Sequence, residues 1–410
     1  MVAVFLFCGS VVAAPSAPVM AAEIRPGAKV VGSKAPTVVA RVPFELVNRK
    51  ILLPVRINGS AVYDFVLDTG SPVMLLSAPE LAPAMRLASG GRLTLKGAGR
   101  GESPEAFEAA GATVSLEATE GRVDLTEQRV LILAENPQFG AYLGVRSYGI
   151  IGRGLFARYV VEIDFDRQQL VLYEPASYAY RGPGEVVPIR LQGGHPHCDA
   201  IVELASGVRR TIDVVIDSGA GSALTLIENP EHGLVAPAGT EVRRLGRGLN
   251  GEIHGAFTRL PRLQLGDLEI RDVVTAFAER RSGIAPGAQA NLGADVLRRF
   301  RVIFDYPQRQ MILEPGETFG RPFDIDMSGM LLRAEGPTLD QLIIEQVREG
   351  SPAALVGVEP GDRLLALDGR EVTLEQAAQL LRQRDGFRVP LTLDRAGETL
   401  EKQITLKRDV

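Results

Sequence analysis

Two apolar runs in this chain end in the same way. YDFVLDTGS closes on Asp68-Thr69-Gly70-Ser71, and IDVVIDSGA closes on Asp217-Ser218-Gly219-Ala220. A lone Asp-Ser/Thr-Gly is a common turn, because Gly makes up about 7% of residues, but these two share their surroundings as well. Each is followed by an apolar-Gly step, Ile150-Ile151-Gly152 in the first half and Leu292-Gly293 in the second, and then by a matching strand pattern. With Gly152 laid on Gly293, an offset of 141 positions, Arg158 falls on Arg299, Val161 on Val302, Asp164 on Asp305, Gln169 on Gln310 and Leu172 on Leu313. The Asp motifs themselves are offset by 149, so the copies differ by 8 residues of loop. The chain is a duplication, and it must fold as two similar units.

Those units are mainly β. Stretches such as ILLPVRI, AVYDFVL, RVLILA and VVEIDF, separated by Gly, Pro and Asn, have strand periodicity, and 44 Gly with 26 Pro among 410 residues supply many turns. Short helices are expected after each Gly step, over 155–159 and 296–300. YAYRGPG separates the repeats and EPGETFGRP ends the second, giving units at 40–180 and 184–318. The final segment, 323–410, changes character: SGMLLR, then GSPAALVGVEPGDRLLALDG, a helical LEQAAQLLRQR and two further strands. A net charge of −5 without a basic stripe argues against nucleic acid as a partner.

The first residues give an apolar run from Val2 to Ala14 followed by small residues, which reads as a secretory signal peptide over 1–22. The run is shorter than the ~20 residues needed to span a bilayer. Cys8 leaves with the leader, and Cys198 then has no partner for a disulfide. Export to a bacterial periplasm, or secretion, is the expected location, with no integral membrane segment after cleavage.

The paired motifs resemble the pepsin and retroviral-protease superfamily of aspartic peptidases, and the resemblance covers roughly residues 40 to 318. It implies a two-lobed acid-protease β-barrel fold, built of duplicated retropepsin-like lobes, with Asp68 and Asp217 as catalytic residues. Thr69, Gly70 and Ser71, with Ser218, Gly219 and Ala220, form the supporting loops. Two carboxylates about 3 Å apart cannot both ionise, so they share a proton and can activate a water against a peptide carbonyl; aspartic proteases are the standard worked case of this chemistry. No metal and no cofactor is needed. Ser71 could donate to Asp68 where Ala220 offers nothing to Asp217, which predicts Asp68 as the more readily ionised member. The Gly-rich stretches 95–103 and 243–255 lie where flaps would lie, with Gly97, Gly99, Gly248 and Gly251 as candidates, and neither carries the Tyr of pepsin-like flaps.

The last segment resembles a PDZ domain of the bacterial kind. This implies a groove for a peptide ligand, C-terminal or internal, at Ser328, Gly329, Met330 and Leu331, with loop N–H groups offered to a carboxylate. The function expected is an exported aspartic endopeptidase acting on protein or peptide substrates, with the PDZ module recruiting substrate or partner. The rival is a catalytically inactive peptide-binding scaffold of the cell envelope. His195-Pro196-His197-Cys198-Asp199 brings ligand-type side chains together, but a Pro-containing loop entering a strand explains it without a metal, and Arg158 and Arg299 read as solvated or lobe-packing residues.

Overall fold

A computed structural model of the chain describes residues 3–4, 35–280, 282–283 and 287–410. The leader expected over 1–22 therefore lies outside the described residues, apart from Ala3 and Val4.

Each repeat closes a ring of six strands. In the first, 50–57, 63–67, 149–151, 74–76, 123–133 and 105–116 are hydrogen-bonded in that order, and 105–116 pairs back onto 50–57. In the second the equivalent ring is 195–203, 209–217, 290–293, 224–227, 268–278 and 251–265, closed by pairing of 251–265 with 195–203. Closure removes open sheet edges and buries one face of every strand, which is why alternate residues such as Leu53, Val55, Phe65 and Leu67 are fully buried.

A third sheet joins the repeats. The strands 160–164 and 300–305 meet antiparallel with Val161 opposite Phe304, Glu162 opposite Ile303 and Ile163 opposite Val302. That register places a pseudo-two-fold axis between Glu162 and Ile303, which are themselves 141 positions apart. The offset read from the sequence is thus the symmetry of the sheet.

Helices are few and short: α1 (Phe139–Leu143), α2 (Arg153–Arg158), α3 (Ala294–Leu297), α4 (Pro352–Leu355) and α5 (Leu374–Leu380). The two helices expected after the Gly steps begin directly on them, with Gly152 and Gly293 as their N-caps, two residues earlier than expected. The last of them, α5, opens with a capping box in which the Thr373 hydroxyl accepts from Gln376 N and the Gln376 side chain accepts from Thr373 N. Residues from Met330 onward form a separate five-stranded sheet with its own core around Leu332, Ile344, Leu367 and Leu391. Arg299, one of the two paired arginines, is buried: it lies over the Phe323 ring at 3.5 Å and donates to the carbonyls of Asp295 and Pro322, pinning the segment that leads to this last unit.

Candidate active site

The strands 63–67 and 209–217 each run parallel to the strand that carries the Gly step, and each delivers its Asp into a tight turn. Ser71 N donates to Asp68 O and Ala220 N to Asp217 O, both at 3.2 Å. The Gly steps are needed because the turn runs through their side-chain space. A Cβ on Gly152 would lie 2.2 Å from Ser71 O, and one on Gly293 would lie 2.2 Å from Ser222 O. Any other residue at these two positions would push the Asp loop out of place.

The two loops meet face to face and are bonded crosswise. Thr69 N donates to Ser218 Oγ at 3.0 Å, and Ser218 N donates to Thr69 Oγ1 at 2.9 Å. The hydroxyls then donate onward across the junction, Thr69 to Ile216 O at 2.8 Å and Ser218 to Leu67 O at 2.9 Å. All four bonds are buried, so loss of one partner would strand a polar group and cost about 1–3 kcal/mol. Each glycine sits against the opposite aspartate: a Cβ on Gly70 would come within 2.7 Å of Asp217 Cγ, and one on Gly219 within 2.3 Å of Asp68 Cγ. The motif thus has a physical reason at every position: Asp is presented, Ser or Thr ties the loops, and Gly lets the carboxylates approach.

Both carboxyls are fully buried. Burial and the charge of Asp217 raise the Asp68 pKa well above the usual carboxylate range; Lys50 and a 2.8 Å bond from Gly70 N act in the opposite sense. The expected donor to Asp68 is absent: the Ser71 hydroxyl donates instead to Val73 O at 2.8 Å. The side-chain amide in reach belongs to the other half. Asn291 Nδ2 donates to Asp217 Oδ2 at 2.6 Å, so the side-chain donor sits on Asp217 and not, as expected from the sequence, on Asp68. Asn291 occupies the position of Ile150, and that break in the apolar step is the sequence signal for its role.

Lys50 was missed at the sequence level. It begins the strand 50–57, is buried, and donates through Nζ to Gly219 O in the opposite Asp loop. Burial pulls its pKa down to about 7, against the pull of Asp217 and Asp68. Strand register identifies its counterpart: Leu52 faces Val66 as His197 faces Val215, so His195 is the Lys50 of the second repeat. His195 is buried and lies against the Gly70 backbone; burial lowers its pKa, and the Gly70 bond and Asp217 oppose that. Each repeat therefore begins with a buried cationic-type side chain reaching the other repeat's Asp-loop glycine.

The rest of the His195–Asp199 run is structural. His197 Nδ1 lies 3.0 Å from Asp213 Oδ2, and burial pushes the Cys198 thiol up to about 12. Arg158 sits 3.7 Å from Glu174 and over the Tyr159 ring.

The two Gly-rich stretches are brought together. Asn250 N donates to Ala98 O at 2.8 Å, Arg100 N to Glu252 O at 3.1 Å and Gly99 N to Ser282 O at 2.8 Å. Gly99 and Gly248 are required by this approach, since a Cβ would meet Gly251 O at 2.5 Å and Ala98 O at 2.2 Å respectively, while Gly97 O crowds Gly283. Ala98 packs with Ala220 and Val215, and Leu249 packs with Val66 and Ile150, so the joined loops sit on the residues that flank the two aspartates.

In the last unit, Ser328, Gly329, Met330 and Leu331 form the loop and first strand of the groove, but the loop N–H groups are not open to a carboxylate. Asp326 Oδ1 accepts from Ser328 N at 3.1 Å and Gly329 N at 2.9 Å, and Ser328 Oγ accepts from Met330 N at 3.0 Å. The expectation that these amides await a peptide terminus is corrected: a side chain of the same loop already satisfies them.

Residues 343–395 match the family model described as the PDZ domain. Two bacterial proteins described as zinc metalloproteases share short stretches with the chain. One, from Agrobacterium fabrum, is 45% identical over 60 residues, which is 14% of this chain and 16% of that protein; the other, from Neisseria meningitidis, is 46% identical over 54 residues, 13% of this chain and 12% of that one. The chain thus spans less than a fifth of either relative's length. Among the described residues no group of three or more His, Cys, Asp or Glu is placed to hold a metal ion, so these residues do not fit a zinc site. A photosystem II D1 C-terminal processing protease overlaps 19% of this chain and 22% of its own at 24% identity, with a TM-score of 0.18, too low to bear on the fold. The matched residues fall on the separate five-stranded unit with its groove-forming strand and helix, and this C-terminal part of the chain is a PDZ domain.

Proposed function

We propose that the chain is an aspartic endopeptidase in which Asp68 and Asp217 act as one acid–base unit, with a PDZ domain attached. The observation that carries this reading is the reciprocal Thr69–Ser218 bonding, which joins two loops 149 residues apart so that each buried carboxyl lies against the glycine of the opposite loop. Turns with only a structural role would gain nothing from placing two acids together out of water, where like charges repel.

In the proposed reaction Asp217, held by Asn291, takes a proton from a water as the water oxygen bonds to the peptide carbonyl carbon. Asp68 gives its proton to the carbonyl oxygen, leaving a neutral gem-diol. Collapse breaks the C–N bond: the departing nitrogen takes the proton from Asp217, and a diol hydroxyl returns one to Asp68. Protons and bonds balance, and the dyad ends as it began.

The protease descriptions of the two short-matching relatives agree with a peptidase class without bearing on its mechanism. We further propose lobes at 40–180 and 184–318, a PDZ unit over 323–410, and export behind a leader over 1–22, on the strength of the sequence patterns described. No helix among the described residues is long and apolar enough to cross a membrane. The test is cleavage of denatured casein by wild type and Asp68→Asn. Cleavage by wild type and at least a 1,000-fold loss in the variant (about 4 kcal/mol) supports the reading; equal rates overturn it.

A further inference from the structure

The PDZ sheet ends on the strand Met330–Glu335, which pairs on one side only, with Gln341–Val347. An open edge strand normally shows its backbone and side chains to solvent or to a ligand. Here Met330, Leu331, Leu332 and Ala334 are all buried. Part of what covers them is α1 of the first barrel, which lies along this strand and against the start of α5, in the groove where a PDZ ligand would run. The helix has two faces four residues apart in register. Gly140 and Gly144 face the PDZ domain, where a Cβ would come within 3.2 Å of Leu339 Cδ1 and 2.7 Å of Leu374 Cβ. Phe139 and Leu143 face the barrel and share a core with Val66, Ile150, Leu95 and Leu249, the last two from the joined Gly-rich stretches. Tyr142 Oη donates to Glu345 at 3.1 Å, and Asn48 Nδ2 donates to Leu143 O at 2.8 Å.

We propose that this PDZ groove is a clamp for an internal segment, α1 of the same chain, rather than a receptor for a chain terminus, and that through α1 it steadies the two Gly-rich loops over the aspartates. Both ends of the groove support this. Asp326 and Ser328 fill the site a terminal carboxylate would take, and Gly140 in α1 with Gly144 directly after it allows a backbone approach that a bulkier residue would block. The ligand class that competes with α1 is then an internal apolar peptide segment, and its arrival loosens the loops. The inference rests on the peptidase reading only for its activity consequence.

The test is hydrogen–deuterium exchange on the full chain carrying Leu339→Arg, which crowds α1 from the PDZ side and leaves α1 itself unaltered, in wild-type and Asp68→Asn backgrounds. Exchange at least tenfold faster in 95–103 and 247–253, in both backgrounds, is expected; unchanged exchange in those loops while 139–148 exchanges faster overturns the coupling whether or not the protein cleaves anything. Gly144→Val, which drives α1 off Leu374, is expected to speed exchange in the same loops, and loops that stay as protected as in wild type while 139–148 opens would equally sink it. Fluorescein-labelled random heptapeptide pools with free or amidated C-termini test the groove itself. Equal binding of the two pools is expected, and at least tenfold preference for the free carboxylate would overturn the internal-segment reading.

Discussion

The two Asp loops are alike in backbone and unlike in what surrounds them. Both carry the same turn, the same crossed hydroxyl bonds and the same glycine pressed on the opposite aspartate. Around the first, the step residue is Ile150 and the strand-starting residue is Lys50; around the second, the same positions hold Asn291 and His195. Geometry that brings two carboxyls together has to be symmetric, because each loop is the other's wall. Protonation has to be asymmetric, because the two acids must hold one proton between them. Substitutions at the shared positions and at the divergent ones should therefore differ in kind.

The largest effects belong to the shared positions. Gly70→Ala and Gly219→Ala each place a methyl where the opposite carboxyl lies, at 2.7 and 2.3 Å from its Cγ. Each should lower kcat at least 1,000-fold. A variant that kept more than a tenth of the wild-type rate would show that the carboxyls need not touch.

Next comes the divergent step residue. Asn291→Leu removes the 2.6 Å donor to Asp217 and restores the apolar pattern of the first repeat, with an expected loss of 10- to 100-fold in kcat and little change in KM. Ser71→Ala, which touches only Val73 O, should stay within threefold of wild type; steady-state kinetics on one peptide substrate separates the two.

The smallest effect is read as a change of slope. Burial brings the Lys50 pKa down to about 7 in the folded protein, against 10.5 for an open chain. Between those values the unfolded chain binds the extra proton, so stability rises with pH through that interval and Lys50 contributes no pH slope above it. Lys50→Met should flatten the rise seen in urea unfolding between pH 7 and pH 10. It should also move the alkaline limb of the pH–rate profile upward, since Lys50 holds the Asp68 pKa down and Asp68 must keep its proton to act as the acid. His195→Gln, at the equivalent position, should leave the alkaline slope intact.

What the chain betrays before it folds follows the same division. The duplication, the Asp turns and the Gly steps are visible because they are local patterns written twice, and the PDZ unit is visible through its own turn and helix signals. Lys50 is not visible, since its partner is a carbonyl 169 residues away in the other repeat and nothing near it marks the contact. Asn291 is marked in the sequence only by a polar residue standing where the first repeat has Ile150, and Ser71 misleads because a hydroxyl beside an acid has a nearer acceptor in Val73 O. The occupied PDZ loop was likewise hidden: Asp326 precedes the Ser-Gly-Met run by two residues and looks like any surface acid until the loop folds around it.

That Asp68 and Asp217 form one catalytic unit is tested most directly by a double-variant cycle on peptide cleavage with Asp68→Asn, Asp217→Asn and the pair together. Residues that act as a unit are strongly non-additive, so each single variant is predicted to be as inactive as the double. A single variant that keeps substantial activity, with a further loss in the double, would contradict the shared-proton dyad.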